Sequence, residues 1–594
     1  MTSIMTITVN YEKRKNTELF QSLEKMGFEK PQNYIPIYKN FFVLNDTNFS
    51  TVNLNHTHYI DKLQRSLSDN VHQCLIKSAV GKPHQDKVFF KFAPLLDPVK
   101  FMIGKYEINE KITTLPTHSS TSETCNSKIL DTNNCSYVDG FFSYLSNQLL
   151  SSKRFVHGIR YYGSFLTIKK NFKLNVYDDL EYLVKSDFFV KNKDKLFTID
   201  NYNDLFEDDS SRPDLPTIKI QDLPSDNLTL DIDCIEETDF GDVFIEEIDN
   251  SSLPNETLDS KEILTLTTNN LEEHNELVAD TIDSNCLSIK ENDDNSSIIS
   301  QKLSDSSDEN SEVSYTDEDE SENTETSESD EGSSDDSSEE SEEEIINAYF
   351  PEFPVQLICM EACSDTLDQL ILDDKMSEKL WLSALMQIIM TLITYQKVFS
   401  FTHNDLHTNN VMYVSTKKKF VYYCFKGVHY KVPTYGKIFK IIDFGRAIYK
   451  HDGKIMCSDS FSPTGDAATQ YNIEPYYNPK KPRLEPNYSF DLCRLACSIF
   501  DYLVDDLKEI KDLNNCDKIT RIIVEWCIDD NGINVLYKNN GTDRYPDFKL
   551  YKMIARCVHN HTPQAQLDRD EFKKFEINKS DIPNAEPIMN IDEM

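Results

Sequence analysis

From Leu303 to Glu344 the chain reads LSDSSDENSEVSYTDEDESENTETSESDEGSSDDSSEESEEE, without one Lys or Arg. Like charges repel along the whole run, and too little apolar surface is present to offset the entropy of ordering it. The acidity reaches further. Between Asn201 and Ile346 stand 47 Asp and Glu against 5 Lys and Arg, whereas the rest of the 594-residue chain holds 54 acids and 56 bases. The formal net charge of -40 therefore belongs to one segment, which is expected to be disordered. Any fold must be built from its flanks. Many Ser and Thr of the segment precede an acid by three residues, which would suit an acidophilic protein kinase. A basic protein is the other partner expected for such a tail.

The flanks are long enough to bury a core without disulfides. The chain's 14 cysteines form no CxxC pair. Cys359/Cys363 and Cys493/Cys497 are spaced by four, with no His or Cys partner at zinc-ligand spacing, so they read as thiols of an intracellular, cytoplasmic protein. The opening MTSIMTITVNYEKRKN lacks the apolar core of a signal peptide. The longest apolar stretch, LWLSALMQIIMTLITY from Leu380, reads as too short and too interrupted by Ser, Gln and Thr to span a bilayer. Neither a membrane nor direct nucleic-acid binding is expected.

Before the acidic segment, β and α signals alternate. HQCLIKSAV, GKPHQDK and VFFKFAPL read as a hairpin punctuated by Gly81-Lys82-Pro83. DGFFSYLSNQLL, from Asp139, carries Phe141, Leu145 and Leu149 at helical spacing, and FVHGIRYYGSFLTI follows as a strand. After the segment, FPVQLICMEA is an apolar strand. SEKLWLSALMQIIMTLITYQKVF is a helix buried on most faces and capped by Ser377. A strand-dominated half thus precedes a helical half, an α+β arrangement, and the end from about Asn578 is polar and expected to be loose.

Between that helix and the short strand VMYV lies FTHNDLHTNN. Its pattern is His403-x-Asp405-x-x-x-x-Asn410, the H-R-D-x-x-x-x-N loop of phosphoryl-transfer enzymes with Asn404 in place of Arg. KIIDFGRAI sets Asp443-Phe444-Gly445 directly after an apolar strand, and SFDLCRLACSIFDYL opens a helix with Asp491. Any one of these is weak alone; three in order, each in its required context, are strong. VFFKFAPL puts Lys91 inside an apolar strand, where an unpaired ammonium is costly and a phosphate partner explains it.

With these motifs the chain resembles the eukaryotic-type protein kinases, and in detail the divergent serine/threonine kinases of giant, mimivirus-like DNA viruses. YVDGFFSYL, FVHGIRYYGSFL, KIIDFGRAIY and YPDFKLYKMIAR carry the likeness, which runs from about Cys74 to Glu576 outside the acidic insert. The resemblance implies a bilobal fold: an N-terminal extension (1–73) packing on or adding strands to the N-lobe, the first part of that lobe (74–200), the insert (201–346), the end of the N-lobe with hinge and helical C-lobe (347–577), and a polar tail (578–594). It implies ATP as phosphoryl donor, Mg²⁺ as cofactor, a Ser/Thr protein substrate, and a host-cell or virion location. Asp405 would receive or orient the attacking hydroxyl, and Asn410 and Asp443 would hold the metal. Asp491 would bond the backbone of the catalytic loop, Met360 would be the gatekeeper, and Glu361 to Cys363 would offer backbone groups to adenine. His407 resembles the haspin-like loop.

Three departures qualify the likeness. No glycine-rich loop precedes Lys91, since only Gly27 and Gly81 occur before it. No glutamate sits mid-helix in DGFFSYLSNQLL to pair with Lys91; Asp139 is the only acid there. No A-P-E motif closes the segment between Asp443 and Asp491. KKKFVYYCFKGVHYKV is an added hairpin turning near Gly427, expected to shift nothing essential. Without an Arg before Asp405, activity independent of activation-segment phosphorylation is expected. A small-molecule kinase of the choline or aminoglycoside type shares the His-Asn-Asp loop, but those families usually replace the glycine of Asp-Phe-Gly. A pseudokinase scaffold displaying the acidic tail is the reading from another class.

Overall fold

The chain is described by a computed structural model over residues 7–78, 81–202 and 345–594. All of these belong to one of two units of the chain. The other, 203–294, lies outside the described residues, as does nearly all of the acidic segment whose disorder composition predicts.

Strands of alternating character build a mixed α+β structure around one large antiparallel sheet. Its strands are β1 (Phe28–Gln32), β2 (His58–Ser66), β3 (Val71–Ser78), β4 (His84–Pro94), β5 (Tyr161–Asn175) and β6 (Asn347–Glu361), in spatial order β1-β5-β6-β4-β3-β2, with Thr198–Ile199 paired to β6 as well. Alternation aims Val88 and Phe90 of β4 to one face and Phe89, Lys91 and Ala93 to the other. The first face packs on Leu19 and Leu23 of the helix Thr17–Glu24 together with Phe28 and Ile60. The second receives helix α1 (Cys135–Lys153). The first 73 residues thus supply two strands and the cover of one sheet face, and the boundary expected at Cys74 falls inside β3. At the far side of the acidic segment, Ile346, the residue before β6, is buried, and its carbonyl accepts from Val176 N just past the end of β5.

Helix α2 (Glu378–Phe399) starts where Ser377 Oγ accepts from Leu380 N and stops at Ser400 in the left-handed region, φ 49°. At 22 residues it is long and apolar enough to cross a bilayer, contrary to the shorter reading from sequence; 89% of its apolar window is buried inside the protein. Its apolar faces are already covered by neighbours, as in any core helix. Around it lie β7 (Val411–Ser415), the added hairpin β8 (Phe420–Phe425) and β9 (Val428–Pro433), β10 (Lys437–Ile441) paired with β7, the hairpin β11 (Ile448–His451) and β12 (Lys454–Cys457), and helices α3 (Phe490–Ile499), α4 (Lys518–Trp526) and α5 (Lys549–Cys557).

The end is not loose. Strand β13 (Ile588–Asn590) pairs parallel with β8, Ile591 is fully buried, and Asp592 accepts from Lys426 N and Gly427 N at the hairpin tip. Three apolar residues among the polar ones are buried, Ile582, Met589 and Ile591, and give this segment its hold. The added hairpin is equally engaged: Tyr423 and Val432 are buried, and Tyr423 Oη lies 2.6 Å from His157 Nε2 while His157 Nδ1 lies 2.8 Å from Phe439 O. A carbonyl only accepts, so Nδ1 carries the proton and Nε2 accepts from the phenol.

That arrangement requires a neutral ring, and burial drives His157 down to about 4. Its folded value is depressed, so between the unfolded value near 6.5 and about 4 the unfolded chain binds the extra proton. Stability should fall as pH falls through that window, with up to about 1.4 kcal/mol per pH unit from this one group. Denaturant titrations between about pH 7 and about pH 5 should give a shallower slope for His157→Gln than for the wild type, by about one proton. Equal slopes would refute the neutral assignment.

Candidate functional site

Lys91 leaves β4 toward α1, where burial would make a lone ammonium costly. Its Nζ is 2.6 Å from Asp139 Oδ2 and 2.8 Å from Asp443 Oδ1. The second oxygen of Asp139 accepts from Phe444 N at 3.0 Å. Burial alone would lower the Lys91 ammonium, but the two carboxylates outweigh it and hold it above its ordinary value. Burial likewise pushes Asp139 above the usual carboxylate range, against the pull of Lys91 and the Phe444 N–H; burial also raises Asp443, but Lys91 and His403 together outweigh it and the shift is downward.

Asp139 can do this because α1 begins at Cys135, four residues before the start expected from sequence, which puts Asp139 in the second turn. Two devices start the helix early. Asn134 accepts from Ser136 N, and Asp459, itself paired with Lys128, accepts from Cys135 N at 3.0 Å. A carboxylate at the first turn also complements the helix dipole. The next residue, Gly140, lets the helix lie against β6: a Cβ there would stand 2.0 Å from Nε2 of buried Gln356. Aromatic rings fill the space behind. Phe142 of α1 stacks on Phe401 at 4.3 Å and packs against Phe444 at 4.6 Å.

The polar loop from Phe401 to Asn410 is fixed from beneath. Buried Asp491, at the start of α3, accepts from His403 N and Asn404 N at 2.9 Å each. His403 Nε2 lies 2.9 Å from Ile442 O, tying the loop to the strand end that bears Asp443. Asn404 takes φ 65°, a left-handed conformation that Asn tolerates well. Its amide donates to Arg446 O at 2.9 Å and its oxygen accepts from Tyr471 Oη at 2.8 Å.

Asp405 projects from this loop with its side chain about a quarter exposed. One oxygen accepts from Tyr551 Oη at 2.8 Å; the other is 3.7 Å from Arg446 Nη1, and Arg494 Nε donates to the same Tyr551 hydroxyl at 2.9 Å. Burial would raise this carboxyl, yet Arg446, Arg494, His407 and Tyr551 together bring it down to about 2. Asp405 is therefore a fixed anion. Asn410 Nδ2 donates to Asp405 O at 2.9 Å and lies 2.9 Å from His407 Nε2. His407, lowered by burial to about 4, is neutral and accepts. With both amide hydrogens used, Asn410 Oδ1 remains an acceptor. Asn410 O accepts from Ile442 N at 3.0 Å, which sets it beside the strand that ends in Asp443.

The expected nucleotide-side residues lie at the end of β6. Met360 is buried opposite Phe89 of β4 and Tyr161 of β5. Glu361 differs from expectation: its N–H is spent on Arg160 O, and its carboxylate accepts from Arg160 N and from Lys440 Nζ at 2.6 Å. Ala362 and Cys363 make no main-chain hydrogen bond to another described residue, so the free backbone groups begin there. Burial and the Glu361 charge push the Cys363 thiol up to about 12, which keeps it neutral. The turn Leu67–Asn70, between β2 and β3, meets β4 at Phe90, the residue before Lys91. It has no glycine and is bound to β4 by Phe90 N to Asn70 O at 2.7 Å and Asn70 Nδ2 to Phe90 O at 3.2 Å.

Of the four residues that the sequence marked, Lys91 pairs with Asp443, and bonds of His403 and Asn410 to Ile442 tie the loop bearing Asp405 and Asn410 to the strand end that bears Asp443. The sequence did not assign Asp139, Arg446, Arg494 or Tyr551. Arg446 directly follows Asp443-Phe444-Gly445 and Arg494 is three residues after Asp491, but Tyr551 carries no local signal. Among the described residues no three His, Cys, Asp or Glu side chains gather as a self-sufficient metal site. Asn410 and Asp443 offer two hard oxygen donors, which suits a magnesium ion that takes its other oxygens elsewhere. No protein-family model matches the chain, and no curated protein matches it.

Close approach at Gly140 is testable. Gly140→Ala should cost about 1–3 kcal/mol in denaturant melts through overpacking. Combining it with Gln356→Ala, which removes the colliding amide, should recover part of that loss; strictly additive losses would mean the two residues do not meet.

Proposed function

We propose that the chain is a serine/threonine-protein kinase of bilobal architecture, transferring the γ-phosphoryl group of ATP to protein hydroxyls. One observation carries the reading: Asp139 bridges Lys91 and the Phe444 N–H, so that an ammonium and Asp443 meet above an anchored loop bearing Asp405 and Asn410. Packing alone requires none of these charged groups to converge.

In this reading Lys91 holds the ATP phosphates, and the Leu67–Asn70 turn stands where a glycine-rich loop would cover them. Met360 and the free backbone groups of Ala362 and Cys363 line the base side. Asn410 Oδ1 and the Asp443 carboxylate would hold Mg²⁺, which neutralises charge on the transferring phosphoryl group when bound. The substrate oxygen bonds to the γ-phosphorus while the bridging P–O bond to the β-phosphate breaks, and ADP leaves. Asp405, held at about 2, is too weak a base to take the hydroxyl proton early. It orients the hydroxyl by accepting its hydrogen bond, and takes the proton late, once the bond to phosphorus has made that oxygen strongly acidic, as a loose transition state allows.

Asn404 supports constitutive activity. It ties the catalytic loop to Arg446 O and Tyr471 Oη by neutral hydrogen bonds, and Asp459 with Lys128 secures α1 by a carboxylate. No phosphate is needed for either contact. A silent scaffold is the second reading, favoured by the hold of Tyr551 and Arg446 on the Asp405 carboxylate.

Labelled ATP with the purified chain, generic protein substrates and small alcohols separates these. Transfer to protein Ser and Thr is expected, with Asp405→Asn and Asp443→Asn each slower by about two or more orders of magnitude, about 2.7 kcal/mol of barrier. Phosphatase pretreatment should leave the rate unchanged. Equal labelling by wild type and both variants would sink the assigned roles, and no labelling by any would favour the scaffold.

A further inference from the structure

Cations of two kinds stand on α5 and on the stretch from Arg446 to Arg483. Arg446 is neutralised by Asp405 and Asp466, and Arg483 by Glu474 and Glu485. Lys481, Lys552 and Arg556 have no carboxylate partner within salt-bridge distance among the described residues. Lys552 and Arg556 stand four apart on α5, hence on one face of it, and Lys552 follows directly on Tyr551, whose hydroxyl touches Asp405.

These side chains are presented by ordered backbone. The Asn478–Pro482 loop wraps the Asn472 side chain, whose amide donates to the carbonyls of Asn478, Lys481 and Pro482 at 2.9–3.0 Å and whose oxygen accepts from Asn478 N at 2.7 Å. Arg556 is anchored by donating to Lys552 O at 2.6 Å and Thr469 O at 2.7 Å. Burial, then the facing charges of Arg556 and Lys481, hold the Lys552 ammonium below its ordinary value. Like charges gathered this closely without a counter-ion are unfavourable in isolation and become favourable when an anion arrives.

Resting on the kinase reading and naming its substrate class, we infer that the phosphoryl acceptor is an acidic Ser/Thr peptide segment whose Asp and Glu side chains are engaged by Lys481, Lys552 and Arg556 while its hydroxyl lies at Asp405. A peptide fits better than a nucleic acid. The cluster is small, too small to track a long polyanion, and Lys552 directly follows Tyr551, whose hydroxyl touches Asp405. The sequence SDSSDENSEVS, which begins at Ser304 of this chain, has the required chemistry as a peptide.

The test compares that synthetic peptide with a version in which Asn and Gln replace its acids. The wild type should transfer phosphate to the acidic peptide with the higher kcat/KM, and the acidic-to-neutral ratio should fall about tenfold in Lys481→Glu/Lys552→Glu, with a smaller fall in Lys552→Gln. Thermal melts of both variants check folding. Transfer with no acidic preference, or a ratio the charge reversal leaves unchanged, overturns the inference and leaves the kinase reading standing. If no peptide is phosphorylated, the kinase reading fails; fluorescence anisotropy of the labelled acidic peptide then still reads the surface, and binding equal in wild type and the double variant overturns it. So does equal competition by an oligonucleotide of the same charge.

Discussion

A single buried carboxylate, Asp139, joins three stretches that are remote in sequence. One oxygen meets Lys91 of the sheet and the other meets the Phe444 N–H, while the backbone carrying it belongs to α1. Desolvating a carboxylate is expensive, and only the two hydrogen bonds together offset it. Neither bond is local, so the sheet, the helix and the Asp443 loop must all be in position before Asp139 is satisfied. The packing agrees with that demand. Gly140 lets the helix close on β6, and Phe142 locks against Phe401 and Phe444.

The lower part of the site depends on a second buried carboxylate. Asp491 takes the His403 and Asn404 amides, which would otherwise be unsatisfied in the interior. Fixing those two amides fixes where Asp405 points, and His403 then joins the loop to the strand that ends at Asp443. Two anchored anions thus set the relative placement of two others. Asp405 and Asp443 are held through the backbone around them, while their side chains are kept in check by Lys91, Arg446 and Tyr551.

Much of this was legible in the sequence. Apolar periodicity gave α2, the β3–β4 hairpin and the β8–β9 hairpin, and motif spacing gave Asp405, Asn410, Asp443 and Asp491 their order. What failed to show was anything set by contacts between distant segments. The start of α1 was read at Asp139 because the Asp459 carboxylate that caps Cys135 lies more than three hundred residues away. The earlier start also sets Asp139 one turn inside the helix, where it meets Lys91. Tyr551 stands in an ordinary amphipathic helix and is indistinguishable, by pattern, from a packing residue. The end after Asn578 was read as loose because polar residues outnumber apolar ones there, although three apolar side chains and one strand pairing are enough to hold it.

Charge counting links the two anchored layers to the proposed chemistry. Around Lys91 stand one ammonium and two carboxylates, Asp139 and Asp443, an excess of one negative charge. Asp139 is buried and committed to Phe444 N, whereas the Asp443 side chain is nearly half exposed and held by Lys91 alone among strong partners. Of the two carboxylates, only Asp443 can exchange its partner without stranding a buried group. An ammonium has three donors, so Lys91 can keep Asp139 and turn another donor to a phosphate oxygen as Asp443 turns to a cation. The exchange replaces one ion pair with two. Its stabilisation grows with the charge brought in, which favours a divalent cation accompanied by polyphosphate over either alone.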